Sequence, residues 1–397
     1  MSPMKASLSG ITVLALEQAV AVPFATRQLA DLGARVIKVE RPGEGDFARH
    51  YDARVKGLSS YFAWLNRSKE SIALDLKHPK AQSIVKELAA SADVVVQNLS
   101  PGATDRLGLS SSQLRKANPQ LITVDLTGYG RGGPLEDRKA YDLLIQAEAG
   151  LLSVTGSASE MARAGISVAD IAGGMYVYSS VLAALIHRST SGEGTEIEVS
   201  LFDALIEWMG HPINYGLYTG EGPVRAGDSH PSIYPYGSFA ASDGRVQFGI
   251  QNQREWESFC ADVLQRPEVT TDSRFATNDN RHQHRAELVA VIEEAFRTSM
   301  VSEVVGRLDA AGIANGRVND VTGVIIHPNL TERDRWRSIE TSGGSIQTLR
   351  PPAIMHGHDE PMSAIPEVGE HTTSILRELG YLDSQITELV AAGAAGG

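Results

Sequence analysis

Asp170 is the residue whose surroundings suggest chemistry most directly. It lies in the run Gly165-Ile166-Ser167-Val168-Ala169-Asp170-Ile171-Ala172-Gly173-Gly174. An extended Ile-Ser-Val stretch precedes it and an apolar helical pattern follows from Met175 to Leu185, which predicts a lone carboxylate near a helix start. A helix N-terminus favours negative charge, so we expect the carboxylate to stay ionised and to be able to act as a nucleophile. Most aspartates at such positions only cap the helix, and position alone favours that simpler role.

The elements that must position Asp170 alternate between strand and helix patterns over residues 1–130. Short strands separated by helices of about ten or more residues are typical of a mainly parallel sheet covered on both faces. The sequence therefore predicts an α/β fold with a large, doubly wound, mainly parallel sheet. The predicted strands are Ile11–Leu16, Arg35–Glu40, Ile72–Leu76, Asp93–Gln97 and Leu121–Leu126, and the predicted helices are Pro23–Leu32, Pro79–Ala92 and Ser111–Lys116.

A further strand, Glu196–Ser200, and a helix, Leu201–Met209, follow Asp170, and the pattern breaks at His211-Pro212. Residues 215–235 are rich in glycine and proline, which indicates a linker. After it, a hairpin signal around Ser242-Asp243-Gly244 and three helical patterns, 254–264, 286–296 and 301–311, predict a smaller α+β domain. We therefore expect a large domain at 1–215 that is completed by 325–397, and a small domain at 225–320.

The composition limits the possible classes of protein. The chain has 397 residues and a net charge of −12, which argues against nucleic-acid binding because phosphate contacts need a basic surface. Its one cysteine, Cys260, excludes an intrachain disulfide and favours the cytoplasm, where we expect Cys260 to be a small buried apolar group. No signal peptide is apparent, the apolar stretch 175–186 is too short for a membrane span, and the tail 391–397 is expected to fray.

Several catalytic classes lack their motifs. The turn after the first strand, Glu17–Pro23, has no glycine, so a dinucleotide pyrophosphate could not approach its backbone. Neither a Walker-type segment nor a Gly-x-Ser-x-Gly elbow is present. The only close histidine pairs, His282/His284 and His356/His358, have no neighbouring ligands typical of a metal site. We expect neither a metal nor a tightly bound cofactor.

Several segments, taken in their order along the chain, resemble the class III CoA-transferases, the family of formyl-CoA transferase and the carnitine CoA-transferases. The resemblance covers nearly the whole chain, and each segment alone is weakly specific. The segments are Leu29–Gly43, Asn66–Lys69 with Leu74–Lys77, Asn98–Gly102, Gly128–Gly130, Tyr141-Asp142 and the run around Asp170.

The resemblance implies roles for particular residues. Asp170 matches the aspartate that forms a covalent acyl intermediate. Residues implied to contact coenzyme A, or to lie in segments that line its pocket, are Val20, Ala21, Arg41, Leu74, Asn98, Leu99, Arg106 and Lys139. An arginine after a strand can fork onto a phosphate of CoA, although a loop salt bridge explains such a residue equally well. The resemblance also implies an interlocked homodimer in which both subunits contribute to each site.

The implied acyl site combines residues from both predicted domains. Tyr141 and Asp142 are candidates for positioning the substrate, and packing at a helix start is the alternative role of Tyr141. The small-domain segment 249–253 corresponds to a glycine run in formyl-CoA transferase, but it has a single glycine, Gly249, and three amides. Gln251 and Asn252 are candidate acyl ligands, and a plain strand-to-helix turn is the alternative. This departure puts formyl-CoA and oxalate chemistry in doubt. We expect backbone N–H groups at Gly173-Gly174 or in the Gly249 loop to stabilise an oxyanion.

The implied reaction is the transfer of CoA from an acyl-CoA thioester to a carboxylic acid through an aspartyl intermediate. Residues 17–27 are most similar to members that act on C4–C5 dicarboxylates with succinyl-CoA as the donor. Arg49, His50 and Arg67 are candidate cations for the second carboxylate. Two alternatives stay open. An α-methylacyl-CoA racemase would need a base where this chain has Tyr141, whose ordinary pKa near 10 suits that role poorly. A non-catalytic CoA-binding protein would keep the CoA contacts and dispense with Asp170.

Overall fold

The computed structural model describes residues 5–358 and 360–396. The strands are β1 Thr12–Leu16, β2 Arg35–Glu40, β3 Lys69–Leu74, β4 Val94–Gln97, β5 Ile122–Thr127, β6 Glu196–Ser200, β7 Tyr236–Ala241, β8 Gly244–Gly249, β9 Asn315–Arg317, β10 Trp336–Ile339, β11 Ile346–Leu349 and β12 Ala395–Gly396. The helices are α1 Ala21–Asp31, α2 Ser60–Leu65, α3 Pro79–Ser91, α4 Ala103–Leu107, α5 Ser111–Ala117, α6 Asp142–Glu148, α7 Leu151–Val154, α8 Val168–Ser191, α9 Leu201–Trp208, α10 Gly210–Thr219, α11 Gln253–Ser258, α12 Asn278–Gln283, α13 Arg285–Phe296, α14 Val301–Ala310, α15 Val321–Ile325, α16 Pro328–Thr331, α17 Thr372–Glu378 and α18 Asp383–Ala391.

The chain divides into two compact units. The larger unit comprises Met1–Gly150, Ala164–Gly210 and Asp334–Gly397, and the smaller unit comprises Leu151–Arg163 and His211–Arg333. The short segment Leu151–Arg163, which interrupts the larger unit in sequence, groups with the smaller unit.

The larger unit is built on a seven-stranded sheet with the order β12-β3-β2-β1-β4-β5-β6. All neighbouring strands are parallel except β12, which pairs antiparallel with β3. This confirms the predicted large, mainly parallel sheet. The order reverses direction between β1 and β4, and open α/β sheets bind their ligands outside the carboxyl ends of the strands at such a switch point.

Alternate residues of the central strands supply one face of the core. Leu14, Ile37, Ile72 and Val95 are buried together with apolar residues of α3, α5, α17 and α18. Side chains of a strand alternate between its two faces, which places these residues on the same side of the sheet. Elsewhere in this unit, α1 and α8 pack on each other, and α8 also contacts β5.

The C-terminal tail is ordered through residue 396, so the prediction that the tail frays was wrong for residues 391–396, and Gly397 lies outside the described residues. Ala395 pairs with Leu74 across β12 and β3, and the Asp75 N–H donates to the carbonyl of Ala394 at 3.0 Å. Ala394 and Ala395 are both buried. A small-residue tail can occupy the edge of a sheet because backbone hydrogen bonds, rather than side chains, hold it there.

Helix α8 has 24 residues and is much longer than its apolar pattern predicted. By length and composition it could cross a membrane, so the expectation that no segment was long enough was wrong. A core helix passes the same test, and α8 packs against α1, α9 and β5 as core helices do. Gly192, with a φ of 75°, ends the helix in the left-handed conformation that favours glycine.

The smaller unit contains the antiparallel sheet β7-β8-β9. The predicted hairpin is present, with Ser242-Asp243 joining β7 and β8. The start of the predicted linker is helical, since α10 extends to Thr219. Pro212 does not break this helix because it lies in the first turn, where a missing N–H is tolerated. Cys260 is fully buried among aromatic and aliphatic residues, and burial raises the pKa of its thiol to about 11.

Candidate active site

A cavity of about 720 Å³ lies in the larger unit at the switch point of the sheet. Three of its walls are the segments that follow β1, β4 and β5, which is where a parallel sheet of this order places a ligand. The remaining walls come from the 3-10 turn Phe47–His50, from α2, from the loop before α6, and from the starts of α8 and α9. The main lining residues are Gln18, Ala19, Val20, Ala21, Phe47, Tyr51, Tyr61, Asn98, Leu99, Thr127, Gly128, Arg138, Lys139, Tyr141, Asp142, Ser167 and Asp170.

Asp170 is the third residue of α8 and its half-buried side chain lines the cavity. No described residue donates a hydrogen bond to its carboxylate, so Asp170 does not cap the helix. The structure therefore contradicts the simpler interpretation and leaves a carboxylate that faces the cavity. It lies in the first turn because α8 begins at Val168, and the residues before it form a bend rather than the extended Ile-Ser-Val stretch that the sequence predicted.

Asp142 provides the cap that Asp170 does not. Its Oδ1 atom accepts hydrogen bonds from the backbone N–H groups of Ala169, at 2.8 Å, and Asp170, at 3.3 Å. Its Oδ2 atom accepts from the Gln146 side chain at 2.7 Å. Asp142 is the first residue of α6, after the exposed Tyr141. One carboxylate thus joins the starts of two helices beside the cavity.

The charge of Asp170 differs from the sequence-based expectation. Burial raises the pKa of Asp170, and the negative charge of Asp142 raises it further, to about 7. The helix terminus does not counteract this rise, because its nearest N–H groups already donate to Asp142. Burial and the charge of Asp142 therefore oppose the ionised form of Asp170 that the helix start was expected to favour.

The loop between β1 and α1 presents backbone groups to the cavity. Asn98 holds Gln18 through two hydrogen bonds of 2.9 Å, and Ala19 adopts a left-handed φ of 62°. Helix α1 begins without a side-chain cap, and no described residue accepts from the N–H groups of Val20 or Ala21. These two N–H groups are consequently available to a ligand oxygen.

An aromatic wall was not anticipated from the sequence. Phe47, Tyr51 and Tyr61 line the cavity, with ring centroids 5.8 Å apart for Phe47 and Tyr51 and 5.3 Å apart for Tyr51 and Tyr61. Burial raises the pKa of Tyr51 to about 12, with smaller contributions from Asp46 and Asp170. The only signal in the sequence was an unusual density of aromatic residues in a polar stretch, 47–64.

A buried network of charges lies next to the β1–α1 loop. Glu17 accepts hydrogen bonds from Lys38 at 3.1 Å and from Lys69 at 2.7 Å, and Lys38 also pairs with Asp46 at 2.8 Å. Burial alone would lower the pKa of Lys38, but Asp46 and Glu17 raise it above its ordinary value. Burial dominates at Lys69 and lowers its pKa to about 8.

Five of the residues implied as CoA contacts line the cavity, namely Val20, Ala21, Asn98, Leu99 and Lys139. Lys139 is exposed in the loop between β5 and α6, and within the described chain no carboxylate pairs with it. It is therefore a cation at the cavity that is free to meet a phosphate.

Three other implied CoA contacts do not line this cavity. Arg41 is 65% exposed and pairs with Glu44 at 2.8 Å, which is the loop salt bridge that the sequence left open. Arg106, on α4, is exposed and makes a 3.4 Å hydrogen bond to the carbonyl of Pro101. Leu74 is buried in the core at the end of β3.

The cations suggested for a second substrate carboxylate are already engaged. Arg49 forms a bidentate pair with Glu40, and Arg67 forms one with Asp31. Burial alone would raise the pKa of Glu40, but the hydrogen bonds from Arg49 lower it to about 2. His50 hydrogen-bonds a backbone carbonyl. These side chains hold the fold together, and none lines the cavity.

The expected oxyanion donors also have other roles. Gly173 and Gly174 lie beyond the first turn of α8, so their N–H groups belong to the helix. A Cβ on Gly174 would lie 2.5 Å from the carbonyl of Ala21, so this glycine permits the close packing of α1 and α8. Gly249, in the smaller unit, donates its N–H to Ala314 at 3.3 Å, and Gln251 follows it on the surface.

Comparisons with known proteins agree with the fold. Residues 8–372 match the family model described as CoA-transferase family III. The chain is 34% identical to human succinyl-CoA:glutarate CoA-transferase over 97% of this chain and 89% of the relative. It is also 34% identical to the acetyl-CoA:oxalate CoA-transferase of Acetobacter aceti over 94% of this chain and 96% of the relative.

A solved structure gives the same result. The crystal structure of a CaiB/BaiF family protein from Brucella suis superimposes with a TM-score of 0.86 and 33% sequence identity, over 95% of this chain and all of that chain. The mainly parallel sheet and these matches together define an enzyme that handles CoA thioesters. The chain belongs to CoA-transferase family III. This confirms the resemblance and the transferase class that the sequence motifs indicated.

Proposed function

We propose that this enzyme transfers CoA from succinyl-CoA to a C4–C5 dicarboxylic acid through a covalent intermediate on Asp170. The observation that carries the proposal is the Asp170 carboxylate itself, which faces a cavity of about 720 Å³ without a hydrogen-bond donor from the described chain. A nucleophile must have a free lone pair and room for the electrophile, and Asp170 has both.

The reaction conserves all groups. An Asp170 oxygen attacks the thioester carbonyl and the C–S bond breaks. This step forms a mixed anhydride between Asp170 and the donor acid and releases CoA as a thiolate. The thiolate attacks the Asp170 carbonyl of the anhydride, which releases the donor acid and leaves an aspartyl-CoA thioester. The acceptor carboxylate attacks this thioester, which forms a second anhydride and releases the CoA thiolate again. The thiolate then attacks the acceptor carbonyl of that anhydride, which gives the acceptor acyl-CoA and frees Asp170.

Each tetrahedral intermediate places a negative charge on the former carbonyl oxygen. The N–H groups of Val20 and Ala21 have no acceptor among the described residues and lie at the positive end of α1. We assign them as oxyanion donors, a role in which one hydrogen bond contributes about 3 kcal/mol to transition-state stabilisation.

The phosphates of CoA need cations near the cavity. Lys139 is unpaired among the described residues, and Arg41 and Arg106 are exposed. In this proposal Lys139 holds a phosphate directly, and Arg41 exchanges its surface contact with Glu44 for a phosphate. Asn98 and Leu99 shape the wall along which CoA lies.

The choice of acid rests on two kinds of support. A human relative is named for succinyl-CoA and glutarate, a C5 dicarboxylate. In this chain Tyr51, Tyr61 and Arg138 line the cavity and suit a second carboxylate, for which the exposed Arg138 would exchange its 2.8 Å pair with Glu148. In addition, Tyr141 and Asp142, which line the cavity, position the substrate beside Asp170.

The homodimer and the cytoplasmic location are also part of the proposal. Helix α8 and the helices after it leave large apolar side chains exposed, among them Ile186, Trp208, Leu217 and Tyr218. Exposed apolar residues in such number mark surfaces that a partner covers. A second copy of the chain, interlocked with the first, is the partner that we propose.

A trapping experiment tests the proposal. The enzyme is incubated with succinyl-CoA, treated with hydroxylamine, and digested for mass spectrometry of the peptide that contains Asp170. We expect a hydroxamate on Asp170 in the wild type and none in Asp170→Asn. Asp203→Asn is the matched control, because Asp203 has the same third position in α9, outside the cavity, and should leave trapping unchanged.

Three outcomes would overturn the proposal. Transfer at the parental rate by Asp170→Asn would remove the covalent step. Exchange of the α-proton of a 2-methylacyl-CoA with solvent deuterium, without any adduct, would favour the racemase. Binding of CoA with neither activity would leave a binding protein.

A further inference from the structure

We propose that Asp46 is a positioning residue that fixes two walls of the cavity relative to each other, the β1–α1 turn at Gln18–Ala21 and the 3-10 turn at Phe47–His50. The inference rests on the proposed function of the cavity, and it assigns a role to a buried charge that the chemistry itself does not use.

The first wall depends on Asp46 through Ala19. The Oδ1 atom of Asp46 accepts a hydrogen bond from the Ala19 N–H at 3.0 Å. Ala19 has a φ of 62°, a left-handed conformation that costs a residue with a Cβ roughly 1 kcal/mol or more, so its surroundings must hold it in place. This conformation turns the chain so that the next two N–H groups, those of Val20 and Ala21, stand at the cavity.

The second wall depends on the same oxygen atom. Oδ1 of Asp46 also accepts from the Ala48 N–H at 2.9 Å, which caps the 3-10 turn that carries Phe47. Tyr51 follows this turn directly, and both aromatic side chains line the cavity. In addition, the Phe47 N–H donates to the Gln18 side chain at 3.3 Å, so the two walls also touch each other directly.

Asp46 itself is firmly anchored to the sheet. It is fully buried, its Oδ2 atom pairs with the fully buried Lys38 at 2.8 Å, and its N–H donates to Glu40 at 2.9 Å. Both anchors are residues of β2. A buried carboxylate with a buried partner cannot rotate towards water, because either charge alone would be strongly penalised. The Asp46 side chain thus fixes both walls relative to β2.

The consequence for catalysis is geometric. The oxyanion donors that we assign lie on the first wall and the aromatic residues beside the acyl group lie on the second. Misplacement of reacting groups by about 1 Å can reduce the rate about 10²-fold, even when binding is little changed. A defect at Asp46 should therefore appear in kcat more than in KM.

The test substitution is Asp46→Asn. Asparagine keeps an oxygen for Ala19 and Ala48 but turns an NH₂ group towards Lys38, where two donors repel each other. Asp31→Asn is the matched control, because Asp31 is also a buried, ion-paired carboxylate of this unit, bound to Arg27 and Arg67, and it does not line the cavity. Both variants should lose stability, and only the first should disturb the cavity.

Two measurements are made on the full-length enzyme. Hydrogen–deuterium exchange is expected to become faster at residues 18–21 and 47–50 together in Asp46→Asn, and to stay unchanged there in Asp31→Asn. CoA transfer from succinyl-CoA is expected to show a kcat about 10²-fold lower in Asp46→Asn with KM within about threefold of the wild type.

The proposal is overturned if exchange at both segments stays at the wild-type level in Asp46→Asn, or if Asp31→Asn reduces kcat equally. If Asp46→Asn fails to fold, Asp46→Ser replaces it, since serine can still cap the 3-10 turn and should release residues 18–21 alone. A wild type that transfers no CoA would refute the proposed function, whereas the exchange measurement would still decide the role of Asp46.

Discussion

The Oδ1 atom of Asp142 lies 3.3 Å from the backbone nitrogen of Asp170, so the second carboxylate of the cavity is bonded to the main chain of the first. Asp142 occupies the N–H groups that would otherwise stabilise an ionised Asp170, and its own charge adds to the effect of burial. Asp142 therefore holds the start of α8 in place and adds to the rise that burial causes in the pKa of Asp170.

We expect transfer to become faster as the pH rises through about 7, because only the ionised Asp170 attacks and its pKa lies at about 7. The measurement is kcat/KM for succinyl-CoA between pH 5.5 and 8.5, which reports the free enzyme. A profile without an ascending limb near pH 7 would contradict this assignment.

The same pKa makes the folded state less stable as the pH rises. The folded pKa of Asp170 exceeds the ordinary value of 3.8, so between about pH 4 and pH 7 the folded protein binds more protons than the unfolded chain. The free energy of unfolding should fall across this window. Asp170→Asn should remove the loss and stabilise the protein at pH 8 by up to about 4 kcal/mol, since one pKa unit corresponds to about 1.4 kcal/mol. Urea unfolding at pH 5 and pH 8 measures it, with Asp203→Asn as the control.

Asp142→Asn should shift the ascending limb of the pH profile to lower pH. The amide oxygen can still accept from Ala169 and Asp170, so the start of α8 is kept, whereas the neighbouring negative charge is removed. A stability profile for the variant separates this effect from unfolding. An unchanged limb would show that burial alone sets the pKa of Asp170.

Gly174→Ala should destabilise the protein more than Gly173→Ala. The new Cβ would lie 2.5 Å from the backbone carbonyl of Ala21 in the first case and 2.7 Å from the flexible end of Leu201 in the second. We expect a cost of about 1–3 kcal/mol for Gly174→Ala, because overpacking forces backbone shifts. Gly306→Ala in α14 is the control: its Cβ meets nothing, and it should stabilise by about 0.5–1 kcal/mol. Urea midpoints in the reverse order would contradict the packing argument.

The surface pair of Arg41 and Glu44 gives a test of CoA binding. Glu44→Gln should lower KM for succinyl-CoA and Arg41→Ala should raise it, each by about three- to tenfold at low ionic strength, because the free guanidinium meets a phosphate and the pair itself contributes little. High salt should reduce both effects. KM values that respond to neither substitution would remove Arg41 from the CoA site.

The sequence predicted many of the strands and helices of this fold because the spacing of apolar residues differs between the two. The bounds of β2 and β6 agree with the prediction to the residue. Strand β3 was predicted three residues too late, at Ile72 instead of Lys69, because its polar start belongs to the buried network of charges and reads as a loop. A lysine inside a core cannot be recognised before its partners are known.

The sequence could predict only those features of the candidate site that depend on residues close together in the chain. The position of Asp170 in the first turn of α8 follows from local pattern. Its pKa does not, because that value depends on Asp142, 28 residues earlier in the chain. Likewise, no local signal joins Asp46 to Ala19, which β1 and β2 bring together from 27 residues apart.

The full burial of Lys38 and Lys69 affects how this protein reacts with amine reagents. Burial is what lowers the pKa of the Lys69 amine to about 8, so an amine that met solvent would regain its ordinary pKa while becoming accessible to reagents. In the native protein an acylating reagent should modify Lys139 and leave Lys38 and Lys69 untouched, so labelling of the hidden pair would report global opening of the chain. Acyl-CoA thioesters are themselves such reagents, and the fold protects these two amines from the substrate it is built to hold.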